Sequence, residues 1–351
     1  MKFLNLILFM FISIVLLFSG CDKDDPVSPE ETINLPTVVT ADINDITYHT
    51  AIGGGEVTED GGSEVTARGV VWCTSPKLPT LDDNKTNDGS GTGLFTSDIT
   101  DLQSGTNYCV RAYATNSEGT AYGIRVNFRT IHETGTVTDI DGNEYETVKI
   151  GDQCWMAENL KVTRYNDGTD IDYPVDNQDW MDRTTGAYAI YPHDTVDGID
   201  SDEEMVDAYG KLYNWYAVDD DRGLCPEGWG VPSDEEWTNL GDYLGGDSVA
   251  GAKLKSTRTV PDPHPRWNHA RLISTNESGF SGLPGSQRMY DGEFWHRPPG
   301  FHASIWTSTE EDPGSEFAWS RFLTHNSDAL QPYIGSRKRS GRSVRCMMYE
   351  E

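Results

Sequence analysis

From Pro36 onward, short runs of alternating apolar and polar residues are cut off again and again by Gly, Asn, Asp and Ser. TVVTADI, ITYHTAIGGGEV, EVTARGVVWC, GLFTSDI, TNYCVRAYATN and TAYGIRVNFRT all read as strands, because an alternating run gathers its apolar side chains on one face of a pleated ribbon. Six or seven strands in about ninety-five residues predict an all-β sandwich over residues 37–131. Glycine stays abundant and long helical patterns stay scarce across the 351 residues, so the remainder is expected to be β-rich or α+β, and the length suggests two or three domains.

Within the first unit, ITDLQSGTNYCVRAYATNSEGTAYG resembles the end of a fibronectin type III or Ig-like domain. There a leucine, a turn and a tyrosine lead into the penultimate strand, and Tyr108 stands at the tyrosine-corner position. Alternation places Val70, Trp72, Tyr108, Val110 and Ala112 inward. It places Cys73 and Cys109 outward on neighbouring strands, where a cross-strand disulfide is expected in an oxidising compartment. The Gly-rich run NDGSGTGLF is followed by no helical pattern and is read as a strand connection, not a phosphate loop.

Ahead of this unit, Lys2 precedes an apolar run from Phe3 to Phe18 and then Ser19-Gly20-Cys21. A basic start, a short apolar core and small residues describe a secretory signal over residues 1–20, slightly short for a membrane span. The cysteine after Ser-Gly resembles a bacterial lipobox, although Phe18 stands where leucine is usual. That resemblance implies cleavage before Cys21 and a diacylglycerol on its sulfur; the alternative is an ordinary signal with an incidental cysteine. Residues 21–36 form an acidic, proline-bearing tether. Its acids resemble surface-export signals of some Gram-negative lipoproteins, which implies an exported chain held by lipid in the outer membrane, facing outward. In other bacteria Asp22 would favour inner-membrane retention. The formal net charge of −30 argues against a nucleic-acid partner, since phosphates are repelled over most of the surface.

A second unit is expected over residues 134–351. It opens with TGTVTDIDGNEYETVKI, where Asp141-Gly142 signals a hairpin. Asp139, Asp141 and Asn143 carry part of a calcium-loop spacing. An EF-hand would then need glycine at 144 and glutamate at 150, where the chain has Glu144 and Ile150. In CPEGWGVPSDEEW, Ser233-x-x-Glu236 ahead of Trp237, Leu240 and Leu244 is a capping box. Asp234 and Glu235 complement the positive end of the helix, and Gly245-Gly246 stop it. The three acids are therefore read as a helix start and not as a catalytic pair. Cys225 leads into this helix and Cys346 lies in the final strand, so a disulfide between them is expected, its long loop worth on the order of 4–5 kcal/mol in the chain-entropy model. Cys154 has no evident partner.

CWMAENLKVTRYNDGTDI, YGKLYNWYAV, LCPEGWGVPSDEEW, AGAKLKS, TNESGFSGLPGSQR, IWTSTEE and SVRCMM resemble, in order, the landmarks of the FISUMP family, the Fib_succ_major paralogous domain. The resemblance runs from about Gly135 to the C-terminus. It implies a compact α+β, C-type-lectin-like domain related to the formylglycine-generating enzymes and found on bacterial secreted proteins and lipoproteins. It carries over no catalytic residue. Gly230 stands where the family often has histidine, and the acidic insertion at 194–208 is longer than usual.

Between Asn166 and Arg222 sixteen acids face three bases. The spacing fits no calcium loop, so a structural calcium has no motif behind it and a solvated acidic face is the simpler reading. The RKRSGR run is read as balancing that acidity. Neither HPRWNH nor FWHRPPGFH has zinc-ligand spacing, and SGFSG is no nucleophile elbow. No cofactor, metal or catalytic residue is assigned. One loop, GSQRMYDGEFWHRPPGFHASIW, crowds Tyr290, Phe294, Trp295, His296 and Phe301 beside Arg288 and Asp291. Arg288, Tyr290, Asp291, Trp295 and His296 are the candidate ligand-binding residues, suited to stacking and hydrogen-bonding a sugar or gripping a peptide; the alternative is that the aromatics fill a small core. The expected function is a non-enzymatic, surface-anchored binding or adhesion lipoprotein for an extracellular glycan or protein. An extracellular enzyme on the formylglycine-generating scaffold and a purely structural envelope protein stand as alternatives.

Overall fold

The computed structural model describes residues 33–268 and 274–349. The leader, Cys21 and most of the tether lie outside them. The first unit consists of β1 (Thr37–Thr40), β2 (Ala51–Glu59), β3 (Ala67–Thr74), β4 (Asn84–Lys85), β5 (Gly93–Ile99), β6 (Asn107–Asn116), β7 (Gly119–Tyr122) and β8 (Val126–Arg129). They make two antiparallel sheets, β1-β2-β5 and β4-β3-β6-β7, with β8 also paired to β6. This is the fibronectin III/Ig-like sandwich. Val70, Trp72, Ile99, Tyr108, Val110 and Phe128 fill the space between the sheets. The glycines of β2 have a packing reason: a Cβ on Gly55 would stand 2.4 Å from Val39 O and 2.8 Å from Ala112 Cβ. The Tyr108 hydroxyl accepts from Gln103 N at 2.9 Å and its ring stacks on Phe128, which ties the corner.

The expected Cys73–Cys109 disulfide is not formed. The two residues face each other directly in the β3–β6 register. Both are also buried. Ser75 N bonds Asn107 O two residues on, so Cys73 and Cys109 occupy a hydrogen-bonded pair, the wider of the two antiparallel spacings. Each thiol donates to its own flank, Cys73 Sγ to Lys77 O and Cys109 Sγ to Asn127 Oδ1, both at 3.2 Å.

The second unit opens with β9 (Thr134–Thr138), β10 (Glu144–Ile150) and β11 (Gln153–Met156), and closes with β18 (Met347–Met348). With β14 (Trp229–Gly230) they form one sheet, β14-β18-β11-β10-β9, so the two ends of the unit meet. Two further sheets are β12 (Tyr188–Ala189) with β13 (Leu212–Tyr213), and β15 (His302–Glu310), β16 (Phe317–Thr324) and β17 (Gln331–Arg337) in that order. The helices are short: α1 (Asn177–Met181), α2 (Asp202–Tyr209), α3 (Trp215–Val218), α4 (Asp234–Tyr243) and α5 (Asp247–Leu254). Sandwich and α+β unit touch where Arg129 and His132 both bond the Glu277 carbonyl.

Local chemistry explains the landmarks. In the β9–β10 turn, Asp139 accepts from the Asp141 and Asn143 amides and from the Tyr145 hydroxyl, so DIDGN is a turn held by its own aspartate. Ser233 and Glu236 close the capping box in both directions, and Trp237 and Leu240 are buried beneath α4. Asp234 does more than face the dipole: it binds the buried guanidinium of Arg321 on β16. Cys225 and Cys346 are joined with Cα atoms 5.9 Å apart, pinning the lead into α4 to the segment before β18.

Candidate ligand-binding cleft

The three-stranded sheet turns one face inward and leaves the other open. In β16, Leu323 points into the core, while its neighbours Phe322 and Thr324 take the opposite face. Register pairs Phe322 with Gln331 and Ser320 with Tyr333, so β17 adds Gln331 and Tyr333 to that face. Over it stand the 286–296 loop and the 335–342 turn. Together they enclose an open cleft of about 500 Å³.

The loop is built by Arg288. This residue is 1% exposed. Its guanidinium donates to Gly292 O at 2.7 Å and Pro174 O at 2.8 Å, reaches Asn177 Oδ1 at 3.2 Å, and lies between the Trp180 and Phe294 rings. The expectation that Arg288 meets a ligand is therefore corrected: its donors are used on backbone carbonyls, and it positions the loop. Asp291 is an exposed turn residue accepting from Glu293 N at 3.2 Å, and His296 is exposed with its ring edge-on to Trp295. Neither lines the cleft, and both are exposed to solvent, so both are corrected as well. Tyr290 and Trp295 do line it, with the Arg337 guanidinium 4.7 Å from the Tyr290 ring centre.

Sequence reasoning missed the other half of the cleft: Gln287, Phe322, Tyr333, Arg337 and Arg342. None of the lining residues is an aspartate or glutamate and two are arginines, in a chain of formal net charge −30. Arg337 reaches the exposed Glu316 at 3.2 Å. Among the described residues Arg342 has no acidic partner. It is 5% exposed and wedged between the Trp306 and Phe322 rings. Its side-chain hydrogen bonds among the described residues come from Nη1, to Gln287 Oε1 at 2.7 Å and to Ser304 Oγ, and its Nε is buried without a partner. Burial pulls this guanidinium down to about 9, with nearby Tyr333 opposing, so it stays charged at neutral pH. The basic RKRSGR run thus does not simply balance surface acidity, since one of its members is buried at the cleft.

Beside it, His302 is 3% exposed with both ring nitrogens unpartnered, its ring 4.1 Å from that of Trp295. Burial, reinforced by Arg342, pushes it down to about 3 and keeps it neutral. Orphaned buried polar atoms of this kind mark a place for water or a ligand. Among the described residues, no group of three or more His, Cys, Asp and Glu is arranged to hold a metal ion. Cys154, the free cysteine of the second unit, is half-buried, and burial raises its thiol further above neutrality.

Comparison with solved structures places the chain beside the sensor domain of the anti-sigma factor RsgI4 in Pseudobacteroides cellulosolvens (14% identity, 28% of this chain and 98% of that one, TM-score 0.22). It is also similar to the third fibronectin III domain of human KIAA0343 protein (11%, 32% and 97%, TM-score 0.24) and to a myokine structure (18%, 28% and 99%, TM-score 0.23). No curated protein matches. The Fibrobacter succinogenes major domain model matches residues 148–347, which hold the disulfide, α4 and the whole cleft sheet. The chain belongs to the Fibrobacter succinogenes major domain family.

Proposed function

We propose that this chain is an exported, lipid-anchored and non-enzymatic binding protein whose α+β domain holds an extracellular glycan or protein in the aromatic cleft. Family membership, the sandwich-plus-α+β build and the buried disulfide support an extracellular module. Lipidation at Cys21 rests on the lipobox resemblance alone. Among the described residues no helix is long and apolar enough to cross a membrane. The observation that carries the binding reading is the cleft: Tyr290 and Tyr333, each close to half exposed, and Trp295 are set on a sheet and a clamped loop. Stacking faces on a rigid support are what a sugar or peptide site needs.

Glycan-array and surface-protein binding of the full chain, compared between wild type and Trp295→Ala, tests this. Binding that falls at least tenfold in the variant supports the site. Unchanged binding, or none at all, overturns it.

A further inference from the structure

Resting on the proposed binding function, we infer that the cleft recognises an acidic oligosaccharide, whose carboxylate or sulfate docks on Arg342 while a sugar ring stacks on the aromatic walls. Arg342 is a charged group taken out of water, with no acid of its own among the described residues. Its Nη1 is occupied by Gln287 and Ser304, which leaves the Nε–Nη2 edge without a hydrogen bond among the described residues. That edge is the fork that grips a carboxylate or sulfate bidentately. A buried cation needs a counter-charge, and the rings of Trp306 and Phe322 supply only part of one. Behind the lining, the ring nitrogens of His302, a residue in contact with Trp295, are buried without partners too. An anion in the cleft supplies the counter-charge that Arg342 lacks. The absence of acids from the lining keeps that anion from being repelled locally.

An acidic peptide shares the charge but fits the frame less well. A peptide adding to the open edge of β17 would need a regular ladder. Pro332 has no N–H to give, and the β16–β17 register shifts where Gly335 takes φ +94°, so the edge is irregular. Flat faces of Tyr290, Tyr333 and Trp295 around a cleft of about 500 Å³ suit one or two sugar rings.

The test is calorimetric titration of the full chain with trigalacturonate, its methyl ester, sulfated dextran oligosaccharide, the unsulfated dextran and hexaglutamate. The inference expects an acidic sugar, carboxylated or sulfated, to bind at least about tenfold more tightly than its neutral counterpart, the worth of one charge-assisted contact. Comparing the two acidic sugars tells carboxylate from sulfate. Arg342→Gln should erase the preference and Arg342→Lys should keep part of it. Should Arg342→Gln fail to fold, the acid-to-neutral ratio of the wild type decides alone. Equal binding of acidic and neutral sugars, lost in Trp295→Ala, overturns the inference and leaves the proposed binding function standing. Hexaglutamate binding without sugar binding overturns the glycan assignment, and absence of binding by every probe overturns the inference.

Discussion

Asp234→Ala separates two roles that look alike in sequence. Its carboxylate takes Arg321 Nε at 3.0 Å and Nη2 at 2.7 Å, and Arg321 is 1% exposed. Truncation removes the dipole contribution of a first-turn acid, about 0.3–1 kcal/mol. It also leaves a buried guanidinium short of its carboxylate; breaking a buried pair costs about 3–5 kcal/mol. The Asp234 side chain keeps 22% exposure and Asp247 stays 3.9 Å from Arg321 Nη1, so the lower end applies, about 3 kcal/mol. Glu235 is exposed in the same turn, and Glu235→Ala should lose the dipole contribution alone. Urea unfolding followed by tryptophan fluorescence measures the difference cleanly. Nine of the ten tryptophans lie in the second unit, and Trp155 and Trp237 pack under α4. A further Arg321→Met substitution in the Asp234→Ala background should recover part of the loss, because an apolar side chain replaces the stranded charge. Equal costs for Asp234→Ala and Glu235→Ala, or no recovery from Arg321→Met, would refute the reasoning.

Replacing Cys225 and Cys346 together by alanine should lower stability by about 5 kcal/mol in the chain-entropy model, given the separation of 121 residues; an unmoved urea midpoint counts against it. Thiol titration of the denatured, unreduced mature chain should find three free thiols, from Cys73, Cys109 and Cys154, whereas one would mean that Cys73 and Cys109 bridge. Gly292→Ala, with φ +86° and Asn177 O only 2.4 Å from the new Cβ, should weaken cleft binding and cost more stability than Gly142→Ala, which has the same φ and open space. Equal melting points would show that the loop yields. Moderate salt should speed association of an acidic oligosaccharide, because it screens repulsion from a net −30 chain more than the buried contact; stopped-flow rates that fall with salt refute this.

The elements whose cause is local were legible. The α4 start follows from Ser233 and Glu236, three residues apart, and the sandwich from alternation that any single strand displays. Tyr290 and Trp295 were found because Gly and Pro marked their loop. Arg288 was misjudged for the same reason: a loop arginine looks like a donor to ligand until its carbonyl partners from residues 174–176 are seen. Cys73 and Cys109 show the limit from the other side. Their strands do neighbour each other as expected, and the choice between bridge and thiol turned on which spacing of the ladder they occupy and on Lys77 O and Asn127 Oδ1.

Chain order alone established a β-sandwich followed by an α+β unit, and the helix cap. These depend on periodicity and on neighbours a few residues apart. Tertiary structure decided the site. Gln287, His302, Phe322, Tyr333 and Arg342 come together from a loop, three strands and a turn. Whether an arginine is solvated, paired or stranded without a counter-charge depends on what surrounds it in space, and sequence spacing carries no record of that.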